Sequence, residues 1–358
     1  MAGAHTTGGQ GGRTVVVTSL EDDGPGSLRE ALASLGPKTI TFAVGGDIWL
    51  RSSLIVRHPH VTLAGETAPS PGITLRGSTV RIKASDVIMR HLRVRVGDGP
   101  GEDPDDRDGI AILGSPTGKR VVTNVVIDHC SVSWAIDEDV STWYPGVSSV
   151  TISNSIIAET LNDSIHPKGR HSMGLLIGRF TKGVLIYRNL LIHNNFRNPG
   201  LAAGATVAMV NNLIYDPGYR ALQLYARSGS TDPTLVSAAD NLVVAGPATP
   251  PRMGVFGNGV VAGSRIYLKG NRTDGTEALE PTREGIERLG FDPFVADPPV
   301  TWDAALEVVP AKALEATLAP DVGARPWDRD ATDRRLLREL KERRGRVRDT
   351  VPEGERGR

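Results

Sequence analysis

The chain has 358 residues, with 41 basic and 41 acidic side chains and a formal net charge of zero. This balance gives no reason to expect nucleic acid or an anionic membrane as a partner, and no apolar run is long enough to span a bilayer. Aromatic residues make up only 5% of the chain, beside 41 glycines and 24 prolines. We therefore expect an aliphatic core and many turns, while the single cysteine excludes an internal disulfide.

The N-terminal part predicts a first strand at residues 14–17 and then a short helix. Ser27 begins the run Ser-Leu-Arg-Glu-Ala-Leu, and Glu30 lies three residues later, which is the pattern of a capping box. Short strand-like apolar runs then follow almost without pause. They lie at residues 40–44, 54–56, 61–64, 73–76, 80–82, 87–96 and 109–113.

Further along, a short motif returns several times. It consists of an apolar run, then Asn or His, then another apolar pair. Its marker residues are His129, Asn154, Asn189, Asn212, Asn241 and Asn271. Repeats of this length are typical of a solenoid, in which each coil buries its apolar face against its neighbours.

The repeats favour strands, because their Val, Ile and Leu runs are too short for helices. Irregular spacing indicates constant strands joined by turns of variable length. We therefore predict an all-β fold, a right-handed parallel β-helix over roughly residues 14–272, with the short N-terminal helix capping its open end. Asn154, Asn189, Asn212 and Asn241 should occupy equivalent bends and satisfy turn backbone groups. A β-sandwich is the alternative, although sandwich turns come at closer spacing.

From residue 274 the pattern changes to Pro-rich, acidic and partly helical sequence. A highly charged helix is predicted at residues 333–344, with Gly345 as its stop. We expect residues 1–325 to form the β-helix domain with its N-terminal cap. Residues 326–358 should form a charged C-terminal segment that packs on the solenoid, partly helical and then disordered from residue 352.

Two acidic stretches lie in consecutive coils. The first, residues 98–108, holds six carboxylates and one base. It ends with Asp106 and Asp108 before a strand, where alternate side chains point to one side and can converge. The second is residues 137–139, Asp-Glu-Asp. Oxygen-rich clusters suit a hard cation, above all calcium; a solvated acidic loop is the alternative.

Basic side chains collect further on. Lys168, Arg170 and His171 precede a predicted strand, and Arg197 follows the next one. Because equivalent positions of successive coils stack on one face, the acidic stretches and Arg197 are expected to line one groove. A cation flanked by fixed basic groups is a good receptor for a polymer that carries a carboxylate on every sugar.

Several longer motifs are found in a fixed order along the chain. They are A-G-A-H-T-T-G-G-Q-G-G, V-V-V-T-S-L-E-D-D-G-P-G-S-L-R-E-A-L, V-T-L-A-G-E-T-A-P-S-P-G-I, V-I-D-H-C-S-V-S-W-A-I-D-E, H-N-N-F-R-N-P and V-G-A-R-P-W-D-R-D-A-T-D-R-R. Over nearly its whole length the chain resembles the pectate lyases of polysaccharide lyase family 1, in particular secreted bacterial members. That family has the right-handed parallel β-helix fold.

The resemblance implies calcium-dependent β-elimination on pectate (polygalacturonate), which releases unsaturated oligogalacturonides. Arg197, in R-N-P, matches the family's proposed catalytic base. The implied cofactor is Ca²⁺ and the implied substrate is an acidic polysaccharide. The implied metal ligands are Asp106, Asp108, Asp137 and Glu138, and the implied substrate-binding residues are Lys168, Arg170 and His171.

The sequence departs from the family pattern at three places. The second acid of the second pair falls on Ser141, so Glu138 or Asp139 is expected to replace it. A second arginine falls on Ala202, and Gly200 takes the last position of an R-N-P-R pattern. These departures leave the strength of calcium and substrate binding open.

Three other functions compete with a pectate lyase. They are a lyase on another uronate polymer, an inverting glycoside hydrolase that uses paired carboxylates such as Asp106 and Asp137, and a non-catalytic polysaccharide-binding relative. A hydrolase product would lack the UV-absorbing double bond of a lyase product. We expect a secreted monomer without nucleic-acid or membrane partners, from which a signal peptide has been removed.

Overall fold

The computed structural model describes residues 5–251, 260–275, 290, 292–293, 298–299 and 306–355. From residue 13 to residue 274 the chain winds as a solenoid whose strands form three sheets, A, B and C. Each strand pairs in parallel with its equivalents in the neighbouring coils. The predicted parallel β-helix is confirmed.

Sheet A has ten strands within the described residues. In order they are β1 (Arg13–Val17), β2 (Lys38–Phe42), β5 (Val61–Ala64), β8 (Val87–Arg90), β11 (Val122–Asp128), β14 (Val147–Ser153), β17 (Lys182–Tyr187), β20 (Thr206–Val210), β23 (Leu235–Ala239) and β25 (Arg265–Lys269).

Sheet B has nine strands in the same ranges. They are β3 (Gly46–Trp49), β6 (Ile73–Arg76), β9 (Arg93–Arg95), β12 (Ser131–Ser133), β15 (Ile156–Ala158), β18 (Leu190–Ile192), β21 (Leu213–Tyr215), β24 (Leu242–Val244) and β26 (Arg272–Asp274).

Sheet C has seven strands where the structure describes the chain. They are β4 (Leu54–Val56), β7 (Val80–Ile82), β10 (Ile110–Leu113), β13 (Glu138–Trp143), β16 (Met173–Ile177), β19 (Gly200–Ala202) and β22 (Gln223–Tyr225).

The core consists of aliphatic side chains stacked in register from coil to coil. In sheet A, Ile127 pairs with Ile152 and Ile152 pairs with Ile186, and all three are fully buried. In sheet C, the buried residues Ile110 and Val140 pair in the same way. β-Branched residues pack well on a pleated surface, so this composition matches the predicted aliphatic core.

An asparagine ladder runs along the bend between sheets A and B. The side-chain oxygen of Asn212 accepts hydrogen bonds from the backbone N and Nδ2 of Asn189, both at 2.9 Å. The side-chain oxygen of Asn241 accepts the same two hydrogen bonds from Asn212, and that of Asn271 accepts them from Asn241. The predicted stacking is confirmed for Asn189, Asn212 and Asn241, and each rung satisfies turn groups that are buried from water.

The prediction was wrong by one residue for Asn154. Ser155 occupies the ladder position, because its backbone N donates to Oδ1 of Asn189 at 3.0 Å and its hydroxyl accepts from the backbone N of Cys130. Asn154 lies one residue earlier, in a left-handed conformation with φ of 47°, and His129 has the same conformation one coil before. Asparagine is favoured at both kinds of position, which explains the error.

The predicted N-terminal helix is present as α1 (Leu28–Ala33). The hydroxyl of Ser27 accepts a hydrogen bond from the backbone N of Glu30 at 3.1 Å, as the capping pattern predicts. Leu28 and Leu32 are buried in the main core cluster, so the helix covers the end of the solenoid.

The C-terminal segment contains α2 (Leu314–Leu318) and α3 (Ala331–Glu342). The predicted charged helix therefore begins two residues earlier than expected, capped by Asp330, and it ends before Gly345 because Arg343 is left-handed. Leu336 and Leu340 of α3 pack in one apolar cluster with residues of sheet B.

The structure differs from the expected disorder after residue 352. Residues Glu353–Glu355 form a 3-10 turn, and Oε2 of Glu355 accepts a hydrogen bond from Arg76 at 3.1 Å. Residues 356–358 lie outside the described residues. Among those described, no helix combines the length and the apolar character needed to cross a bilayer.

The ladder leads to a prediction about stability. Asn212→Ala would leave the backbone N of Asn189 without its partner in a buried bend, so the free energy of unfolding should fall by about 1–3 kcal/mol in chemical denaturation. Asn212→Ser is the matched variant, because Ser155 fills the equivalent position of another coil, and its loss should be smaller. A wild-type value for the alanine variant would contradict the role of the ladder.

Candidate active site

A groove of about 620 Å³ runs along the outer face of sheet C. Its floor comes from outward-facing strand residues, such as the register partners Ala111, Ser141 and Leu176. Its charged walls come from the ends of strands and the loops beside them. The charged residues of the lining are Arg81, Lys83, Asp105, Asp106, Asp108, Arg120, Asp137, Glu138, Lys168, Arg197 and Arg227.

Three of the predicted metal ligands come together in the groove. Asp108 precedes β10, and Asp137 and Glu138 lie at the start of β13 in the next coil. Each offers a carboxylate oxygen within 4.8 Å of the others. Asp106 also lines the groove, but it belongs to the turn Pro104–Asp106 and is not part of this cluster.

The electrostatics of the cluster suit a divalent cation. Burial raises the pKa of Asp108 well above its usual range, and the negative charge of Asp137 raises it further. Backbone N of Glu138 donates to Asp108 at 3.3 Å. Carboxylates are the preferred ligands of hard cations, and a bound cation would offset both the burial and the repulsion, so the residues present fit the implied calcium.

One of the departures, Ser141, has a structural explanation here. Ser141 donates its hydroxyl hydrogen to Asp108 Oδ2, so it holds a metal-ligand candidate in place instead of adding a carboxylate. Asp139 does not replace the missing acid, because its carboxylate is fully buried and accepts a hydrogen bond from the backbone N of Ala135 at 3.3 Å. Glu138 is the one that turns into the groove.

Arg197 extends over the floor of the groove from a turn with φ of 55°. Its guanidinium contacts the carboxylate of Glu138 and lies 5.5 Å from the ring centroid of Tyr225. Burial lowers the pKa of Arg197 from its usual value. Its Nε is buried without a hydrogen-bond partner in the described part of the chain. The carboxylates of Asp137 and Asp108 act in the opposite direction and raise the pKa of Arg197.

Gly200 makes room for this arginine. A Cβ at this position would lie 2.7 Å from Cγ of Arg197, closer than real contacts allow. The side chain of Arg197 therefore lies directly over the glycine. The absence of a larger residue at the last position of the R-N-P-G motif is a packing requirement of this groove.

The three predicted substrate-binding residues do not all reach the groove. Lys168 and His171 line it. Arg170 does not: its side chain is 75% exposed and pairs with Asp163 at 3.3 Å. The chain turns sharply at Gly169, with φ of 83°, and this turn separates Arg170 from its neighbours. The structure therefore does not bring Arg170 into the groove with Lys168 and His171, and its role in substrate binding stays a prediction.

Sequence reasoning missed a cation, Arg227, and an aromatic ring, Tyr225, that line the groove. Ala202 pairs in register with Tyr225, and Arg227 follows two residues later with its guanidinium 5.4 Å from a ring centroid of Trp143. Arg227 is also close enough to contribute to the lowered pKa of Arg197. The positive charge missing at position 202 is thus present one coil further on.

The C-terminal segment holds the loop that carries the basic residues, here called the groove loop (residues 159–172). Backbone N of His171 donates to the carbonyl of Asn162 at 2.9 Å, which closes the loop. Backbone N of Asn162 donates to the carbonyl of Arg348 at 2.7 Å. Its side-chain Nδ2 donates to Asp349 at 3.1 Å. The base of the groove loop is therefore fixed from outside the solenoid.

A buried ion cluster lies at the beginning of the same loop. Glu159 is fully buried and accepts hydrogen bonds from Trp134 at 3.0 Å and from Arg335 at 2.6 and 2.8 Å. Burial alone would raise the pKa of Glu159, but Arg335 and Arg348 outweigh it and lower the pKa to about 2. The carboxylate stays ionised and ties α3 to the groove loop.

This arrangement predicts a local effect of Asp349→Ala. The substitution removes the acceptor of the Asn162 side chain and of the Asp163 amide, at about 1 kcal/mol for each hydrogen bond. Amide exchange should accelerate in residues 162–171 and stay unchanged in the sheets. Glu315→Ala, which removes the partner of Arg343 away from the groove, is the control. Equal amide-exchange rates of residues 162–171 in the two variants would contradict this role of Asp349.

No family model matches the chain. A protein of Aspergillus flavus named "Probable pectate lyase C" is 38% identical over 322 residues, which cover 89% of this chain and 68% of the relative. A protein of the same name from Emericella nidulans is 32% identical over 340 residues, which cover 94% of this chain and 73% of the relative. These relatives are fungal, which corrects the expected bacterial type.

Solved structures share the fold. The major allergen from cedar pollen superimposes with a TM-score of 0.66 at 20% identity, over 90% of this chain and 91% of the allergen. A pectate lyase from Bacillus sp. N165, in complex with trigalacturonate, gives a TM-score of 0.60 at 16% identity, over 89% and 95% of the two chains.

The identity to the two fungal proteins, over most of both chains, decides the enzyme class. It favours a lyase over the inverting hydrolase and over the non-catalytic binding protein. The chain belongs to the pectate lyase family and is a polysaccharide lyase.

Proposed function

We propose that the protein is a calcium-dependent pectate lyase, which cleaves polygalacturonate by β-elimination and releases unsaturated oligogalacturonides. The observation that carries the proposal is a partly buried arginine beside three converging carboxylates in one groove. Lyases on other uronate polymers would use the same groups, so the polymer is decided by a substrate panel.

Asp108, Asp137 and Glu138 are the residues that would hold calcium. When bound there, calcium supplies positive charge next to a uronate carboxylate and thereby favours loss of the proton on the neighbouring carbon. Asp106 remains a candidate for a further ligand, since it lines the same groove. Ser141 keeps Asp108 oriented through its hydroxyl.

Arg197 is the proposed base. In its neutral form it takes the C5 proton of a uronate residue. The electron pair of that C–H bond forms the C4–C5 double bond, and the bond from C4 to the glycosidic oxygen breaks. The leaving oxygen then takes a proton from water. Burial and the charge of Arg227 lower the pKa of Arg197, whereas Asp137 and Asp108 raise it. Calcium held by those carboxylates would offset their charge and so favour the neutral form of Arg197.

Lys168, His171 and Arg227 are proposed to bind the carboxylates of neighbouring sugars. All three line the groove, and Arg227 lies against Trp143, whose ring offers a flat apolar surface. Charge-assisted hydrogen bonds to carboxylates are the stronger class, which suits a polymer with one carboxylate per residue. Because such a polymer cannot enter a cell, we propose that the enzyme is secreted; a monomeric state remains a prediction.

The role of the base is tested with Arg197→Lys. Lysine keeps the charge but loses the planar guanidinium and its reach, so turnover should fall by at least about a hundredfold, the typical contribution of a positioned base. The measurement is UV absorbance of unsaturated product. Since only the neutral form accepts a proton, wild-type turnover should rise with pH above neutrality. Arg170→Lys is the control, and wild-type turnover in Arg197→Lys would exclude Arg197 as the base.

The role of calcium is tested by removing the ion and a ligand separately. A chelator should abolish UV-absorbing product, and added calcium should restore it. Asp137→Ala should weaken calcium binding in calorimetry, whereas Asp163→Ala, an exposed carboxylate outside the groove, should not. Full activity in chelator would refute calcium dependence, and polygalacturonate left intact while another uronate is cleaved would refute pectate as the polymer.

A further inference from the structure

A second group of ligand atoms lies beside the carboxylate cluster and shares Asp137 with it. Nε2 of His171 lies 3.4 Å from Oδ1 of Asp137, and Nε2 of His166 lies 3.8 Å from the same oxygen. The two imidazole rings stack with centroids 3.3 Å apart and planes 19° apart. The Nε2 atoms of both rings therefore lie near the same carboxylate oxygen of Asp137.

His166 has no role in the mechanism above, and its environment is unusual. Its side chain is only 1% exposed, and its Nε2 has no hydrogen-bond partner among the described residues. A buried polar atom without a partner costs free energy that a protein normally avoids. Here the atom faces two carboxylates, with Oδ1 of Asp105 at 3.3 Å and Oδ1 of Asp137 at 3.8 Å, rather than an apolar wall.

We propose that His166, His171 and Asp137 form a site for a divalent transition-metal ion. Two imidazoles and a carboxylate suit such an ion, whereas calcium prefers oxygen ligands. The spacing His-x₄-His is within the range common for zinc ligands. Metal bonds of about 2.1 Å in a tetrahedron separate ligand atoms by about 3.4 Å. Nε2 of His171 lies at that distance from Oδ1 of Asp137, and Nε2 of His166 lies farther away, at 3.8 Å. Because an imidazole lone pair lies in the plane of its ring, the stacked rings must turn apart to direct both nitrogens at one ion.

His171 has the tautomer that a metal ion at Nε2 requires, whereas His166 has the other tautomer. Nδ1 of His171 lies 3.2 Å from the carbonyl of Gly169 and donates to it, so Nε2 carries the free lone pair. Nδ1 of His166 instead accepts from the backbone N of Lys168 at 3.1 Å. Metal binding requires the other tautomer of His166, which loses this hydrogen bond.

The surrounding charges leave room for the ion. Lys168 contacts Asp105, whose Oδ1 lies 3.3 Å from Nε2 of His166. The Lys168 side chain is 65% exposed and is free to turn into solvent. Asp137 and His171 line the groove, so a remaining coordination position would face it. On the proposed function, an ion there would add positive charge beside a bound uronate; binding itself does not depend on catalysis.

The site is tested by adding Co²⁺ to protein that has been freed of transition metals and is kept in excess calcium, because four-coordinate cobalt with nitrogen ligands absorbs visible light far more strongly than the hydrated ion. We expect one equivalent of Co²⁺ to bind with this signature. His166→Gln and His171→Gln should each weaken binding by at least about tenfold, while His58→Gln, which lies outside the groove, should not. Unchanged cobalt absorption in both groove variants would overturn the proposal.

A wild-type measurement guards against variants that fail to fold. Crystals soaked in Co²⁺ should show an anomalous peak within bonding distance of both Nε2 atoms. A peak that contacts only carboxylates would overturn the histidine site. The lyase assay in calcium without cobalt reports separately on the proposed function, so failure of one result does not imply failure of the other.

Discussion

The groove depends on the constant register of the parallel strands in sheet C. Ile110 pairs with Val140 and Val140 pairs with Leu175, so a residue just before one strand lies beside the same position of the next. This register brings Asp108 to Glu138 although 30 residues separate them. Backbone hydrogen bonds and the aliphatic core fix the coils, so the carboxylates stay close together although they repel one another. A bound cation would offset this electrostatic repulsion.

A second constraint comes from the C-terminal segment, which binds the outside of the solenoid through buried ions. Asp333 of α3 accepts hydrogen bonds from Arg95 and from Ser131, both at 2.6 Å. Buried charges stabilise little in themselves, but removal of one partner is costly, so they specify one way of docking. Through Asn162, which also accepts a hydrogen bond from Asn195 at 3.3 Å, this docking extends to the turn that carries Arg197.

The sequence predicts those features that are local to one coil. Short aliphatic runs indicated the strands, Ser27 and Glu30 indicated the cap of α1, and Asp108 and Arg197 stood at recognisable strand ends. The stacking of coils also predicted that the acidic stretches and Arg197 would share one groove, but it did not identify Arg227. Arg227 lies beside the groove because β19 and β22 pair, and coils of variable length prevent such partners from being counted along the chain. Arg170 was predicted to lie beside Lys168 and His171, but it lies outside the groove because the chain turns sharply at Gly169.

The departures from the family pattern become consistent when the groove is considered as one surface. Ser141 stands where the family pattern has an acid, and its hydroxyl orients Asp108. Gly200 stands where the pattern has an arginine, and it leaves space for the side chain of Arg197. Ala202 gives up a cation, and Arg227 supplies one from the adjacent coil. In a solenoid, equivalent positions of neighbouring coils face the same groove. A charge can therefore move by one coil and still act on the same ligand, so the balance of charge in the groove is maintained even where single positions differ.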